Sequence, residues 1–381
     1  MYVIKQNWLD ICFGAMLEYI PEEFITADTT ERFRSVAAHI DTIGGYLYAE
    51  ETTNDEVAKI FSMAGIGHKE ISNYKMALDY YFKSVSIRQK NKNEKMLGLV
   101  YNNIAAIYNI QAEYRLALEY SHKSIKISEK HNALPIDLVI AYNNLAIIYS
   151  QCTDYDTALE WNTTALKTLE DNGLTDNPIC ADIFIMRAAI FYAGEKFEEA
   201  LKLDFKALDL LKRHYPEDNA DIGTVYNSIA REYFSLKQYE TALDYYRKTH
   251  GIYNKVYGED DSDTAAVCGN ISKTYVELRE YNHALDWCLK ALEAQKKVLG
   301  EEHPETILRH SFISEIYESL ELYEEAIIHL LKIHDFYIKN NQDKIVRIVN
   351  ERIADNYEKL NNHSEANKYR KMAAEAGERD E

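Results

Sequence analysis

Apolar and small residues recur along this chain in blocks of two predicted helices, and the block repeats every 40 to 42 residues. Residues 102–108 (Asn-Asn-Ile-Ala-Ala-Ile-Tyr) place apolar side chains at helical spacing, and a second helical pattern begins at Tyr114. The same arrangement returns as residues 143–149, followed by a pattern that begins at Tyr155. A period held this closely over the chain predicts stacked helix pairs rather than one compact core.

Two small residues mark each predicted helix pair. Small side chains let neighbouring helices approach closely, and aromatic side chains fill the space beside them. In the first helix, a small residue precedes an aromatic residue or histidine by three positions: Gly65/His68, Ala105/Tyr108, Ala146/Tyr149, Ala189/Tyr192, Ala230/Tyr233, Ser272/Tyr275, Ser314/Tyr317 and Ala354/Tyr357. In the second, an aromatic residue or histidine precedes alanine by three: Tyr74/Ala77, Tyr114/Ala117, Tyr155/Ala158, Phe197/Ala200, Tyr239/Ala242, Tyr281/Ala284, Tyr323/Ala326 and His363/Ala366.

These signatures divide the chain into three predicted parts. Residues 1–53 form an N-terminal helical cap, with helices over about 8–19 and 30–48, which covers the apolar face of the first repeat. The repeat array covers residues 54–374, and residues 375–381 form a flexible acidic tail. The predicted repeats are 54–93, 94–133, 134–175, 176–217, 218–259, 260–301, 302–341 and 342–374.

The repeated pattern resembles the tetratricopeptide repeat, which has a small residue, an aromatic residue three positions later, another at nine and alanine at twelve. The period of 40 to 42 and the linkers 258–264 and 300–306 are similar to the kinesin-light-chain type of this repeat. The resemblance implies an all-α fold, a right-handed superhelical solenoid of about eight helix pairs. It also implies an interaction surface, although these repeats serve many unrelated functions.

Residues 22–60 carry a second, weaker resemblance. An acidic loop followed by Thr30-Glu31-Arg32-Phe33-Arg34 looks like the entry into the repeat arrays of signal-transduction NTPases. The chain has no GxxxxGK[ST] phosphate-binding loop, so the resemblance implies at most the sensor part of such a system.

Composition and motifs argue against several classes of function. A net charge of −19 opposes binding to nucleic acid or to anionic membrane, since both need a cationic surface. The five cysteines form no CxxC pair, and the twelve histidines include no HExxH motif, so neither a metal nor another cofactor is expected. No nucleophile motif and no apolar run of membrane-spanning length occurs. We therefore expect a non-enzymatic cytoplasmic protein.

The family resemblance implies that the first helices line a concave face. Carrying its lining positions onto this chain gives the candidate binding residues Asn102, Asn103, Asn143, Asn144, Ile147, Met186, Arg187, Asn227, Arg231, Asn270 and Lys273. Farther along, the predicted lining becomes acidic, with Glu315, Glu318, Glu351, Asp355 and Glu358.

The chemistry of these side chains predicts the kind of ligand. Asparagine amides can donate to and accept from a peptide main chain, and Arg187, Arg231 and Lys273 form a predicted cationic patch. The leading hypothesis is a scaffold that binds a peptide or partner segment with apolar and acidic character. An alternative function is a ligand- or peptide-sensing regulatory module of a signalling or defence system. An alternative role for the asparagines is to bond neighbouring helices and so to contribute to stacking alone.

Overall fold

The computed structural model describes residues 27–49 and 55–380, and in these ranges the chain forms seventeen α-helices, one short 3-10 turn and no strand. The first helix, α1, covers Ala27–Ala49 and matches the helix predicted over 30–48. The helix predicted over 8–19 lies outside the described residues. The all-α repeat fold that the sequence predicts is confirmed.

After α1 the helices follow one another in eight pairs, and each second helix begins at the residue that the sequence pattern marked. The pairs are α2 (Asp55–Glu70) and α3 (Tyr74–Lys90), α4 (Leu97–Ile110) and α5 (Tyr114–Lys130), α6 (Pro135–Gln151) and α7 (Tyr155–Asp171), α8 (Ile179–Ala193) and α9 (Phe197–His214), α10 (Ala220–Ser235) and α11 (Tyr239–Val256), α12 (Ser262–Glu277) and α13 (Tyr281–Leu299), α14 (Pro304–Ser319) and α15 (Tyr323–Lys339), and α16 (Asp343–Lys359) and α17 (His363–Asp380).

The same turn joins the two helices of every pair. Its central residue has a left-handed backbone with φ between 57° and 61°, and the next N–H donates to a carbonyl five residues back, at 2.8–2.9 Å. This is the Schellman arrangement, which satisfies the free carbonyls at the end of a helix. The left-handed residues are Ser72, Ala112, Thr153, Glu195, Lys237, Arg279, Glu321 and Asn361.

Helix α1 packs on the first pair through a fully buried cluster. Phe33 and Ile40 on α1 lie against Phe61 on α2 and Tyr80 on α3, and the Tyr80 hydroxyl donates to the Ile40 carbonyl at 3.1 Å. Burying large apolar side chains here removes the end face of the first repeat from water. The packing is what a terminal cap requires, and the boundaries drawn at residues 53 and 54 stay a prediction.

The C-terminal end differs from the flexible tail predicted from residue 375. Helix α17 continues to Asp380, and Ala373 and Ala376 on it are buried. A small residue at helical spacing on the inner face keeps the helix in contact with its neighbour. The last turns are therefore part of the final helix pair.

The fourth repeat corrects the predicted alignment by one residue. Ala188 is 1% exposed, whereas Ala189, which we predicted as the small packing residue, is exposed. The carbonyl that closes the turn belongs to Phe191, which accepts from Lys196 at 2.8 Å, as Tyr108 and its equivalents do in other repeats. The packing pair is therefore Ala188/Phe191, because burial and turn geometry, rather than residue type, distinguish two adjacent alanines.

Contacts divide the chain into two compact units, Met1–Ile190 and Phe191–Glu381. The first unit includes α1 to α7 and most of α8, and the second includes α9 to α17. The candidate residues lie on both, and each unit is described by itself below.

The corrected alignment predicts different tolerances at two adjacent alanines. Ala188→Leu should destabilise the protein by about 1–3 kcal/mol, because a larger side chain overpacks a closed helix contact. Ala189→Leu is the matched control and should change stability by less than about 0.5 kcal/mol, since the residue is exposed. Urea unfolding of the two variants measures the difference, and equal losses would contradict the corrected alignment.

Candidate interaction surfaces on the first helices

We define the amide surface of the first unit as Asn102, Asn103, Asn143 and Asn144, which lie on the adjacent helices α4 and α6. The Asn144 side chain donates from Nδ2 to Asn102 Oδ1 at 3.1 Å. Asn102 and Asn143 are buried, whereas Asn103 and Asn144 are half-buried. The bond between the two helices shows that at least one pair contributes to stacking. Asn103 remains the member most open to a ligand.

Among the described residues of the first unit, two buried amide oxygens have no hydrogen-bond partner. They belong to Asn143 on α6 and to Asn109, which lies near the end of α4. Leaving a buried acceptor unpaired costs about 1–3 kcal/mol. An N–H group that reached either oxygen would therefore recover part of this free energy.

Ile147 and Met186 contribute more to packing than the sequence predicted. Met186 is 9% exposed and packs with Ala158 and Ile190, and Ile147 lies at the edge of the same cluster. In the corrected alignment Met186 shares its repeat position with Asn103 and so keeps a lining position. These two side chains form an apolar floor beside the amides rather than open pockets.

Arg187 is placed differently from the prediction that it belongs to a cationic patch. Its Nε donates to Asn162 Oδ1 and its Nη2 donates to Thr163 Oγ1, both at 2.8 Å, so its guanidinium is held by α7. At the equivalent position other first helices have buried apolar residues, such as Leu145. Burial lowers the pKa of Arg187, but an arginine side chain stays protonated in proteins. The one-residue shift in the fourth repeat explains the misassignment.

We define the cationic surface of the second unit as Arg231 and Lys273, with Asn227 and Asn270. Arg231 and Lys273 directly follow the small residue on α10 and α12, and both are exposed. The Arg231 guanidinium lies over the ring of Tyr192, 4.4 Å from its centre, which holds the charge in place by a cation–π contact. Asn227 has an unpaired Oδ1, as Asn143 has in the first unit. Arg231 and Lys273 thus offer cationic groups on an acidic chain.

The acidic lining predicted on α14 and α16 is partly neutralised by arginines that the sequence analysis did not use. Arg352 donates from Nη2 to Glu318 at 2.8 Å and lies 3.6 Å from Glu315. Arg370 forms ion pairs with Glu358 at 3.1 Å and with Asp355 at 3.8 Å. Each arginine is on a neighbouring helix, so the pairing depends on the tertiary structure.

The second unit also contains two buried acids that were not among the predicted residues, Asp204 on α9 and Glu232 on α10. Both are at most 1% exposed, and the oxygens of Asp204 and one oxygen of Glu232 have no hydrogen-bond partner beyond the opposite carboxyl group. The aligned repeats do contain a sign that Glu232 is buried. The position of Glu232 is a buried isoleucine in four other repeats: Ile107, Ile148, Ile190 and Ile316.

Burial of the two carboxyl groups changes their titration. It raises the pKa of Asp204 to about 7, and burial together with repulsion from Asp204 raises the pKa of Glu232 to about 9. The positive charge of Arg231 opposes both shifts. Since a buried charge without a partner is costly, the pair retains at least one proton at neutral pH.

Three of the described histidines have packing or capping roles. His310 and His329 bring their Nδ1 atoms to 2.7 Å, and His303 accepts from the Glu305 N–H at the start of α14. Burial and nearby lysines lower the pKa of His310 to about 3 and that of His329 to about 4. Among the described residues, no three His, Cys, Asp or Glu side chains come together as metal ligands.

Two further observations concern the cysteines and the apolar length of the helices. Cys180, Cys268 and Cys288 are buried free thiols, and Cys152 is an exposed free thiol. In the described ranges every helix is too short or too polar to cross a bilayer.

The acid pair predicts a loss of stability at alkaline pH. Both folded-state pKa values lie above those of an unfolded chain, which are about 4 for either carboxyl group. The stabilisation is therefore complete below about pH 4 and is lost as pH rises from there through about 7 to 9. The melting temperature of the wild type should therefore fall between pH 6 and 9. Asp204→Asn should reduce this fall, raising the melting temperature at pH 9 by roughly 2–4 °C per kcal/mol recovered.

Asp209→Asn is the matched control for this prediction. Asp209 lies on the same helix with its side chain 77% exposed, so the substitution should leave the pH profile unchanged. Thermal unfolding by circular dichroism at four or five pH values measures the profiles. Parallel profiles for wild type and Asp204→Asn would contradict the assignment.

Comparison with known proteins identifies the repeat. Tetratricopeptide-repeat models match residues 137–213, 223–263 and 264–305. A comparison with curated proteins found no matching sequence.

Several solved structures share the fold. The signal-transduction ATPase PH0952 from Pyrococcus horikoshii, which has a tetratricopeptide repeat sensor, matches with a TM-score of 0.64 and 13% identity, over 92% of this chain and 54% of that one. A Rap protein complexed with competence and sporulation factor matches with a TM-score of 0.56 and 12% identity, over 98% of each chain.

The apo form of the quorum sensor NprR from B. thuringiensis also matches, with a TM-score of 0.54 and 16% identity, over 91% of this chain and 97% of that one. Identities this low show a common fold and do not transfer a ligand. Residues 137–213 and 223–305 therefore carry tetratricopeptide repeats, as the sequence period and helix pairs predicted.

Proposed function

We propose that this chain is a non-catalytic interaction module that binds a peptide or partner segment along its first helices. The observation that carries the proposal is that Asn143 and Asn227, which share one repeat position, each leave an amide oxygen without a partner. On each unit, an unpaired acceptor at this position is suited to an N–H group of an extended main chain.

The amide surface would form hydrogen bonds with the main chain of the ligand. Asn103 and Asn144 are half-buried, so their polar ends can be reached while their inner atoms stay fixed by packing. Ile147 lies beside Asn144 as an apolar contact for a ligand side chain. Main-chain bonds would supply affinity here, and the apolar floor would favour aliphatic side chains.

The cationic surface of the second unit would select an acidic ligand. Arg231 and Lys273 are exposed at equivalent positions on a chain whose net charge is −19. Screening limits the repulsion from distant acids to about 8 Å at physiological salt, so the local cations dominate at short range. A carboxylate or phosphate placed there would gain charge-assisted bonds.

A second candidate function is a sensor for a diffusible ligand. What favours it is the match over 98% of each chain to a Rap protein complexed with competence and sporulation factor, together with the matches to a quorum sensor and a repeat sensor. A sensor has to change conformation on binding, whereas a scaffold does not. Small-angle scattering with and without a selected ligand distinguishes the two: a changed radius of gyration favours the sensor.

Substitution of the open amides should weaken peptide binding. Peptides selected from a library for binding to the wild type are measured by fluorescence polarisation. Asn103→Ala and Asn144→Ala should each weaken the best peptide about 2- to 13-fold, which corresponds to a lost hydrogen bond of about 0.5–1.5 kcal/mol. Asn172→Ala is the matched control, since Asn172 is an exposed amide at the end of a second helix.

Thermal unfolding separates binding from stacking in this experiment. Asn144→Ala also removes the bond to Asn102, so its melting temperature should fall, whereas that of Asn103→Ala should not. If Asn103→Ala and Asn172→Ala bind the peptide as tightly as the wild type does, the amide surface is not the peptide site.

Charge reversal on the second unit should weaken acidic peptides. Arg231→Glu or Lys273→Glu should lower affinity at least several-fold at 50 mM salt and make the remaining binding less dependent on salt. Lys202→Glu makes the same charge change on an exposed position of the second helix α9. An equal loss in Lys202→Glu would assign the effect to net charge rather than to the cationic surface.

A further inference from the structure

In three repeats a tyrosine of the first helix fills the space beside the second helix. It lies four residues before the small residue, and its ring contacts an aromatic ring of the same helix pair. The centroid distances are 5.8 Å for Tyr101/Tyr120, 5.6 Å for Tyr142/Trp161 and 5.7 Å for Tyr226/Tyr245. An aromatic pair at this spacing is a normal packing contact.

The sixth repeat keeps the aromatic residue of the second helix and lacks the tyrosine of the first helix. Trp287 occupies the place of Tyr245, but Cys268 occupies the place of Tyr226. A second position is also smaller, because Ala294 stands where the fifth repeat has Ile252. Two side chains that are large in the fifth repeat are therefore small in the sixth.

These two substitutions open a cavity of about 560 Å³ on the second unit. Cys268 and Ala294, each 4% exposed, and Leu289 form its apolar floor. In the seventh repeat, His310 replaces Cys268 and Phe336 replaces Ala294, and the equivalent cavity is about 310 Å³. The larger volume in the sixth repeat therefore results from its small residues.

The walls of the cavity can hold a planar ring. The His250 ring stands edge-on to Trp287 at 4.9 Å, and the Lys290 ammonium lies 4.5 Å from the centre of Trp287. His250 and Lys290 line the cavity, so they present a ring and a cation to a bound molecule. The volume falls within the range of small-ligand sites, roughly 300–1,000 Å³.

The charged residues at the rim of the cavity determine which charge a bound molecule can carry. Glu259, Asp260, Asp286 and Glu293 line it, against Lys290 and Lys297, and Lys297 is already paired with Asp260 at 2.8 Å. Burial and Lys290 lower the pKa of His250, so His250 adds no positive charge at neutral pH. A neutral or cationic guest is favoured over an anionic one.

We propose that this cavity of the sixth repeat binds an aromatic ring that bears a neutral or cationic polar group. The ring takes the volume that a tyrosine of the chain itself fills in the second, third and fifth repeats, and the polar group faces the carboxylates of the rim. The site shares no lining residue with the amide surface or the cationic surface, so this proposal does not rest on the peptide-binding function. The ring can come from a small molecule or from a tyrosine side chain of a partner.

Three small probes of equal ring size test the proposal on the full chain. Saturation-transfer NMR should detect 4-methylphenol and tyramine, and should detect 4-hydroxyphenylacetate at least several-fold more weakly because of its carboxylate. Intermolecular NOEs should connect the ring protons of tyramine to the Leu289 methyl groups in the wild type. Absence of detectable binding at 5 mM, on the order of the weakest affinity expected of a fragment, would overturn the proposal.

Variants that refill the cavity provide the second arm. Cys268→Tyr restores the side chain of the other repeats, and Ala294→Ile restores that of the fifth, so each should weaken tyramine at least about tenfold with no loss of melting temperature. Cys152→Tyr, the same substitution at an exposed cysteine of the first unit, should leave binding unchanged. Unchanged binding in a folded Cys268→Tyr or Ala294→Ile, or missing NOEs to Leu289, would overturn the proposal.

A capped tripeptide, acetyl-Gly-Tyr-Gly-amide, separates the two sources of the ring. Tighter binding than 4-methylphenol, lost in Cys268→Tyr, supports a partner side chain. Binding of the free phenols without binding of the tripeptide supports a small molecule. Either result supports the aromatic site. If none of the four probes binds, the proposal is overturned.

Discussion

Close approach of the two helices in each pair is the contact on which the rest of the structure depends. The alanine three residues into each second helix is fully buried in all eight pairs, from Ala77 to Ala366. Any larger side chain there would separate the helices and remove the dispersion contacts between them. The left-handed turn before each second helix fixes where that alanine meets the first helix, since it sets how many residues separate them. The alanine contact and the turn together fix how the two helices of each pair pack.

With the pairs fixed in this way, other core positions are free to vary from repeat to repeat. Arg187 replaces a buried aliphatic residue and is held by Asn162 and Thr163, and Asp204 and Glu232 place two acids between α9 and α10. Each repeat packs chiefly on its neighbours, so a polar substitution costs free energy locally without disturbing distant pairs. The cavity beside Cys268 and Ala294 has the same origin, because losing two large side chains leaves space in one repeat only.

The surfaces follow from the same division between fixed and variable positions. Asn143 and Asn227 keep one repeat position and one unpaired oxygen, whereas the position after the small residue is Ile147 in one repeat, Arg231 in another and Lys273 in the next. A ligand that bonded either amide would thus be selected by the variable residue beside it. The acidic residues on α14 and α16 are less available, because Arg352 and Arg370 pair with several of them.

The sequence by itself determined the helix pairs, their number and the start of every second helix, because the period and the buried alanines recur often enough to exclude coincidence. Residue type could not choose between Ala188 and Ala189, and it placed Arg187 on the wrong face of α8. Nor could it show that α17 continues past residue 375, that Arg352 neutralises Glu318, or that Cys268 borders a cavity. Each of these depends on contacts between helices that are tens of residues apart, or on volume that no side chain fills. Only the tertiary structure decides them, because a sequence pattern records which residues face inward and not what they meet there.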